Sequence, residues 1–171
     1  MGLFDKLKKK KSDSHENPYE GLRNLALNLK PNDVQVTLTD NEQVYVAVVD
    51  IPAESGIATL VCAIDGSVSL YFSSGGGAIG LGQRYKKVRE AGASFLVSSG
   101  QTIPLLSKAS DFNLPKNNKA SIYLLVRDGA YKAEFDMNNP QQSDQHIQFL
   151  NFLVQNTLTE IRESGALDEQ N

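Results

Sequence analysis

Apolar and polar residues recur along the chain with spacings that predict three helices and five to six strands. Apolar stripes at helical spacing predict helices over residues 18–30, 79–99 and 144–164. Alternating or continuously apolar runs, rich in β-branched residues, predict the strands. These runs are residues 34–39, 44–51, 57–64, 68–72, 122–126 and 131–136. The resulting order, α-ββββ-α-ββ-α, is typical of an α+β fold.

Two short turns indicate how the strands are connected. Asp65-Gly66 and Asp128-Gly129 each separate neighbouring apolar runs and suit the positive φ angles of a tight hairpin. Hairpins join antiparallel strands, and the pattern contains no clear βαβ unit. We therefore expect a mainly antiparallel sheet of five to six strands, covered by the three helices.

The chain divides by composition into a body and two ends. Residues 1–16 predict a flexible basic N-terminal tail and linker, and residues 166–171 predict an acidic flexible C-terminal end. Residues 17–165 contain all the predicted elements and are numerous enough for one α+β domain with its own core. No apolar run reaches the length of a membrane-spanning helix, and the first residues lack a signal-peptide pattern. We therefore expect a cytoplasmic protein.

The net charge of −3 is distributed unevenly along the chain. The first eleven residues carry five lysines and one acidic residue, so the remainder is more acidic than the total indicates. General nucleic-acid binding depends on neutralising many phosphates with basic groups. An acidic body therefore argues against nucleic acid as a partner, and any bound anion must meet local basic groups.

The N-terminal tail supports two interpretations that the sequence leaves open. It is either a solvated tail or a short amphipathic segment that attaches reversibly to an anionic membrane surface, such as the inner face of the membrane. In the second case, three apolar residues share one helical face and the lysines after them meet the lipid headgroups. The membrane-contacting residues would be Leu3, Phe4, Leu7, Lys8, Lys9, Lys10 and Lys11.

Residues 73–82 concentrate five glycines between a predicted strand and a predicted helix. Gly75, Gly77 and Gly80 have the spacing of a dinucleotide-binding fingerprint. The context does not fit, because the preceding strand is the second arm of a hairpin and no acidic residue lies about 20 residues further on. The Gly-Lys-Ser/Thr end of a P-loop is also missing. These observations argue against nucleotide binding of either kind, and we expect no cofactor.

Basic residues crowd the first half of the predicted helix that follows these glycines. Arg84, Lys86, Lys87 and Arg89 oppose the helix dipole there, and a nearby anion would relieve the repulsion. One interpretation is a site for an anionic group, built from backbone N–H groups and two cations. Its residues would be Ser74, Gly75, Gly76, Gly77, Gly80, Arg84 and Lys87. The other interpretation is a solvated basic face behind a glycine turn.

The residue types that most often carry catalysis or metals are scattered. Cys62, the single cysteine, lies in an apolar run where cysteine is usually a small core residue. His15 and His146 lie far apart in the chain and give no metal-ligand spacing. Asp50 and Asp65 flank central strands and could approach each other, although turn and strand-end roles explain them equally well.

One central pattern resembles a group of uncharacterised bacterial proteins. It consists of Asp65-Gly66, Ser69-Leu70-Tyr71-Phe72-Ser73, Gly75-Gly76-Gly77 and Ile79-Gly80, followed by Tyr123-Leu124-Leu125, Asp128-Gly129 and Tyr131. The pattern covers roughly the central two-thirds of the chain and leaves out the basic tail. The resemblance implies a bacterial cytoplasmic domain and brings no activity, cofactor or site residues.

These observations favour a non-enzymatic binding or interaction module of the bacterial cytoplasm. Its partner would be an unidentified protein or a small anionic ligand, recognised at the glycine-rich joint between strand and helix. The first alternative is an adaptor at a membrane surface that uses the basic tail, and the second is an enzyme of unknown type. The sequence leaves self-association open.

Overall fold

A computed structural model describes residue 2 and residues 18–41 and 43–170 of the chain. Within these residues, the helices are α1 (Tyr19–Leu27), α2 (Leu81–Arg84), α3 (Lys86–Ser99) and α4 (Gln145–Glu163). The strands are β1 (Val46–Ala53), β2 (Gly56–Ala63), β3 (Val68–Phe72), β4 (Gly77–Ala78), β5 (Ser107–Lys108), β6 (Lys119–Val126) and β7 (Gly129–Asp136). Short 3-10 turns lie at Pro31–Val34, Gly100–Leu105, Pro140–Gln142 and Asp168–Gln170.

The strands form one antiparallel sheet in the order β4-β3-β2-β1-β6-β7-β5. Every pair of neighbouring strands in it runs antiparallel. Strand β1 lies at the centre because residues 46–51 are buried on both faces, as their nearly continuous apolar sequence predicts. The predicted α+β class and its mainly antiparallel sheet are therefore confirmed.

Helices cover both faces of the sheet and create two apolar cores. Helices α3 and α4 pack side by side on one face, where Ala47 and Val49 of β1 meet Phe95 and Val154. Helix α1 and the chain that follows it cover the other face, where Val46 and Val48 belong to the second core. The alternation of side chains along β1 thus divides its residues between two cores.

The predicted helix over residues 79–99 is two helices, which corrects the expectation of one continuous basic helix. Tyr85 is extended, with φ −125° and ψ 112°, and separates α2 from α3. Close packing holds α2 against the β2–β3 turn, because a Cβ on Gly82 would lie 1.9 Å from the carbonyl oxygen of Gly66. The chain changes direction at Tyr85 and then crosses the sheet as α3.

The predicted strand over residues 34–39 is also wrong in its particulars. Val34 ends the 3-10 turn that begins at Pro31, and Gln35 has a left-handed φ of 55°. The backbone N–H of Lys30 donates to Asp33 at 2.8 Å, which closes this turn. Val34 and Leu38 are nevertheless buried in the core beneath α1. The apolar alternation therefore indicated burial correctly, in a segment whose backbone is irregular.

The C-terminal end is described up to residue 170, whereas the N-terminal tail is described only at residue 2. The proposed membrane-contacting residues 3, 4, 7 and 8–11 lie outside the described residues, so that hypothesis stays a prediction. Ala166 is buried and Leu167 packs against the core beneath α3 and α4, so the start of the predicted flexible C-terminal end lies on the domain. No helix in the described part of the chain is long and apolar enough to cross a membrane.

Candidate functional site

The glycine-rich stretch forms the hairpin that joins β3 to the short strand β4. The N–H of Gly75 donates to the Phe72 carbonyl at 3.0 Å, and the N–H of Phe72 donates to the Gly76 carbonyl at 3.1 Å. Gly77 has φ 140°, and a Cβ there would lie 2.5 Å from the Tyr71 backbone. Ser74 contacts Ser55 through their hydroxyls at 3.4 Å. The glycines therefore serve a tight turn and a close approach between strands.

The hairpin and the two proposed cations lie towards opposite ends of β3. Gly77 pairs with Tyr71, near the end of β3 at Phe72. After β4 the chain returns along the edge of the sheet, so that Gly82 packs against Gly66, before the start of β3. The structure places Gly80 directly before α2 on the Arg84 side. It does not bring residues 74–77 to Arg84, because β4 carries the chain away from the hairpin.

Arg84 and Lys87 line the same groove, which lies between the α2–α3 joint and the last turns of α4. The groove has a volume of about 330 Å³. Its lining residues are Arg84, Tyr85, Lys86, Lys87, Val88, Glu160, Glu163 and Ser164. The interruption at Tyr85 places Arg84 at the end of one helix and Lys87 in the first turn of the next. Two helices, rather than one helical face, therefore supply the two cations.

A carboxylate of the chain itself is held at this joint. Arg84 donates from Nη2 to Oε2 of Glu169 at 2.5 Å, and the Tyr85 hydroxyl donates to Oε1 at 3.2 Å. Arg84 also donates from Nη2 to the Tyr85 hydroxyl at 3.1 Å, which links the two donors. The hydrogen bonds from Arg84 and then from Tyr85 lower the pKa of Glu169. Both carboxylate oxygens are thus recognised at once.

The first turn of α3 explains why a carboxylate is favourable there. The turn contains Lys86 and Lys87 and no acidic residue, and its N-cap residue Tyr85 makes no side-chain capping bond. A helix N-terminus carries partial positive charge, so two lysines in its first turn repel it. Glu169 contacts the side chain of Tyr85 and brings a negative charge to that end of the helix. The anion site that the sequence predicts stays a prediction, and Arg84 itself lies in the last turn of α2, where a cation is favourable for the helix dipole.

Two further groups in the groove retain bonding capacity. Lys87 makes no ion pair with any described residue, whereas Lys86 lies 3.5 Å from Glu90. On the α4 side, the exposed carboxylate of Glu163 lines the groove and makes no ion pair with any described residue. The groove therefore offers a cation on one wall and a carboxylate on the other.

A second polar feature, beneath α1, escaped the sequence reasoning. A row of directly opposed side chains crosses five adjacent strands, formed by Tyr71, Thr59, Asp50, Ser121 and Glu134. The hydroxyls of Tyr71 and Ser121 are buried without a hydrogen-bond partner among the described residues. Burial raises the pKa of Tyr71. This row is the polar part of an otherwise apolar face.

Arg23 of α1 pairs with Asp50 at the centre of that row. Arg23 donates from Nε to both carboxylate oxygens at 3.1 Å and from Nη2 to Oδ2 at 2.6 Å. Its Nη2 also donates to the Phe112 carbonyl at 2.8 Å, and Thr59 donates to Asp50 at 2.8 Å. The sequence contained a signal for this buried ion pair, because Arg23 falls within the apolar stripe of α1 and Asp50 within an apolar strand. The pair fixes α1 and the loop at Phe112 to the sheet.

His15 lies outside the described residues, and the other residues considered for catalysis lie apart from one another. Cys62 is fully buried, and burial raises the pKa of its thiol to about 12. Asp65 lies in the β2–β3 turn, where it accepts from the N–H of Ser67, and does not approach Asp50. His146 lies in the first turn of α4. Among the described residues, no group of three or more His, Cys, Asp or Glu side chains is placed to hold a metal ion.

Comparison of the chain with protein-family models, with curated proteins and with solved structures finds no match in any of the three. The resemblance to a group of bacterial proteins therefore stays a prediction. Among the candidate sites, the groove at the α2–α3 joint has the best-defined polar geometry.

Proposed function

We propose that the protein is a non-enzymatic cytoplasmic binding module that recognises an anionic group of a partner in the groove at the α2–α3 joint. The observation that supports this most strongly is the grip of Arg84 and Tyr85 on both oxygens of the Glu169 carboxylate. Side chains that hold one carboxylate in this way have the donors and spacing to hold another.

The site in this proposal is smaller than the one that the sequence predicts. Arg84 and Lys87 provide the cations, the Tyr85 hydroxyl provides a further donor, and Gly80 starts α2 in a left-handed conformation with φ 77°. The hairpin glycines contribute to the fold, at the far end of β3. A guanidinium and a phenol already linked to each other lose little freedom when they bind a carboxylate, which favours recognition.

The experiment compares wild type with Arg84→Gln/Lys87→Gln by isothermal titration calorimetry. The probe is a synthetic peptide with the sequence of residues 164–171, which contains the glutamate that the joint holds. Because Arg84 and Lys87 are exposed and water screens their contacts, we expect the double variant to bind the peptide about two- to tenfold more weakly. Circular dichroism checks that both proteins are folded.

A matched control removes two cations elsewhere. Lys108 is ion-paired with Asp128 at 3.2 Å and Lys116 is exposed, so Lys108→Gln/Lys116→Gln removes the same charge from the β5 side of the molecule. This control should bind the peptide like wild type. Equal binding by wild type and the Arg84/Lys87 variant would contradict the proposal, as would an equal loss in the control.

A further inference from the structure

Glu169 occupies the donors that a partner would need. Its carboxylate accepts hydrogen bonds from Nη2 of Arg84 and from the hydroxyl of Tyr85. Lys87, which also lines the groove, makes no ion pair with any described residue. We infer that Glu169 is an internal ligand, and that a peptide segment of a partner protein binds by displacing it with a carboxylate of its own. This inference rests on the proposed function and specifies its ligand and its regulation.

Because the Arg84–Glu169 pair is exposed, replacing Glu169 with a carboxylate of the partner costs little free energy. The side chains of Arg84 and Glu169 are 51% and 56% exposed, so water solvates both groups when they separate. Exposed ion pairs contribute little to stability, and the 3-10 turn that carries Glu169 is three residues long. The contact is therefore strong enough to orient Arg84 and weak enough to be replaced.

The walls of the groove favour a carboxylate over a phosphate. Glu160 and Glu163 line the α4 side, opposite Lys86 and Lys87. A doubly charged phosphate would meet more repulsion from these two carboxylates than a singly charged carboxylate would. A carboxylate also reproduces the contact that Glu169 makes, in which each oxygen has its own donor.

The size and lining of the groove favour a peptide over a small carboxylic acid. Its volume of about 330 Å³ leaves room for more than one carboxylate group, and the exposed carboxylate of Glu163 on its α4 side can accept hydrogen bonds. A peptide supplies backbone N–H donors beside its acidic side chain, whereas acetate supplies none. The groove therefore matches a segment that presents a carboxylate together with a nearby donor.

The test measures binding of the peptide of residues 164–171 to full-length wild type, Glu169→Ala and Asp168→Ala. Removing the internal ligand raises the fraction of protein with a free site, so Glu169→Ala should bind about two- to fivefold more tightly than wild type. Asp168 is the exposed neighbour and makes no ion pair with any described residue, so Asp168→Ala matches the charge change. It should bind like wild type.

The outcomes separate this inference from the proposed function. If Glu169→Ala and wild type bind equally while Arg84→Gln/Lys87→Gln still binds weakly, the proposed function stands and the internal-ligand inference is overturned. An equal gain in Asp168→Ala would also overturn the inference, because general charge would explain the effect. If neither wild type nor Glu169→Ala binds the peptide, both proposals fail.

Two small probes test the class of ligand on Glu169→Ala. Acetate shares the carboxylate of the peptide, and inorganic phosphate shares the charge of a phosphorylated partner or a lipid headgroup. The peptide should bind more tightly than either probe. Tighter binding of phosphate would overturn the assignment of a carboxylate ligand, and equal binding of acetate would overturn the role of the peptide donors.

Discussion

Two arginine–carboxylate pairs in this protein have similar contact distances and opposite surroundings. Nη2 of Arg23 lies 2.6 Å from Oδ2 of Asp50, and Nη2 of Arg84 lies 2.5 Å from Oε2 of Glu169. The side chains of the first pair are 7% and 0% exposed, and those of the second are 51% and 56% exposed. The same chemistry therefore appears once in the interior and once at the surface.

The difference in solvation gives the two pairs different roles. In the interior, separating Arg23 from Asp50 would leave two charges without water, which is costly. The first pair therefore stays closed and holds α1 on the sheet. At the surface, water replaces each partner of the second pair, so that Arg84 can change from one carboxylate to another. Contact distance alone would not distinguish the fixed pair from the exchangeable one.

The largest expected effect comes from breaking the buried pair. Asp50→Ala leaves the Arg23 guanidinium buried without its carboxylate, and we expect the free energy of unfolding to fall by about 3–5 kcal/mol. Urea unfolding followed by circular dichroism measures this loss. Arg23→Met/Asp50→Leu removes both charges and should recover most of the stability. If Asp50→Ala lowers the free energy of unfolding by less than about 1 kcal/mol, the buried pair is no stronger than an ordinary surface pair, which would contradict the contrast between the two pairs.

Breaking the exposed pair should change stability much less. Arg84→Gln removes the charge that Glu169 contacts, and we expect the free energy of unfolding to fall far less than in Asp50→Ala, because water solvates and screens both groups of this pair. The same urea titration measures it, with Lys108→Gln as the control because Lys108 is also exposed and ion-paired. A loss as large as that of Asp50→Ala would mean that Glu169 is a structural partner of Arg84 rather than a replaceable one.

The sequence predicted the fold better than it predicted the site, for physical reasons. The apolar runs of β1 and β2 and the hairpin at Asp65-Gly66 are local signals, and they were sufficient to predict the antiparallel sheet. The β4 strand of two residues carries no comparable pattern. Its path, which separates the hairpin from Arg84, depends on packing between Gly82 and Gly66 that no local pattern reports.

The partners of Arg84 were equally hidden, because contacts distant in sequence bring them together. Glu169 is 85 residues from Arg84 and was predicted to belong to a flexible end. The sequence predicted repulsion between one helix N-terminus and all four basic residues after the glycines. The break at Tyr85 leaves Lys86 and Lys87 in that position and puts Arg84 at the end of α2.

The pair of Arg23 and Asp50 is different, because its signal was present in the sequence. Each of these charged residues lies in an apolar run, which could have indicated a buried ion pair, and the sequence analysis did not predict it.

The most direct test of an exchangeable site is the ionisation of Glu169 with and without a ligand. In the free protein the hydrogen bonds from Arg84 and Tyr85 hold the pKa of Glu169 below its usual range. The contact therefore stabilises the folded state above the pKa of Glu169 in the unfolded chain, about 4.3, and this contribution is lost as the pH falls through the lower folded pKa. Carbon-13 NMR of the labelled side-chain carboxylate follows this titration directly.

The decisive measurement is that titration on full-length protein carrying the carbon-13 label, repeated with saturating unlabelled peptide of residues 164–171. Displacement removes both hydrogen bonds from Glu169, so we predict that its pKa rises to the value of an ordinary exposed glutamate when the peptide binds. The change should be smaller in Arg84→Gln/Lys87→Gln, because the hydrogen bond from Arg84, the larger cause of the lowered pKa of Glu169, is already absent without peptide. A pKa that stays low while calorimetry shows the peptide bound would contradict the account.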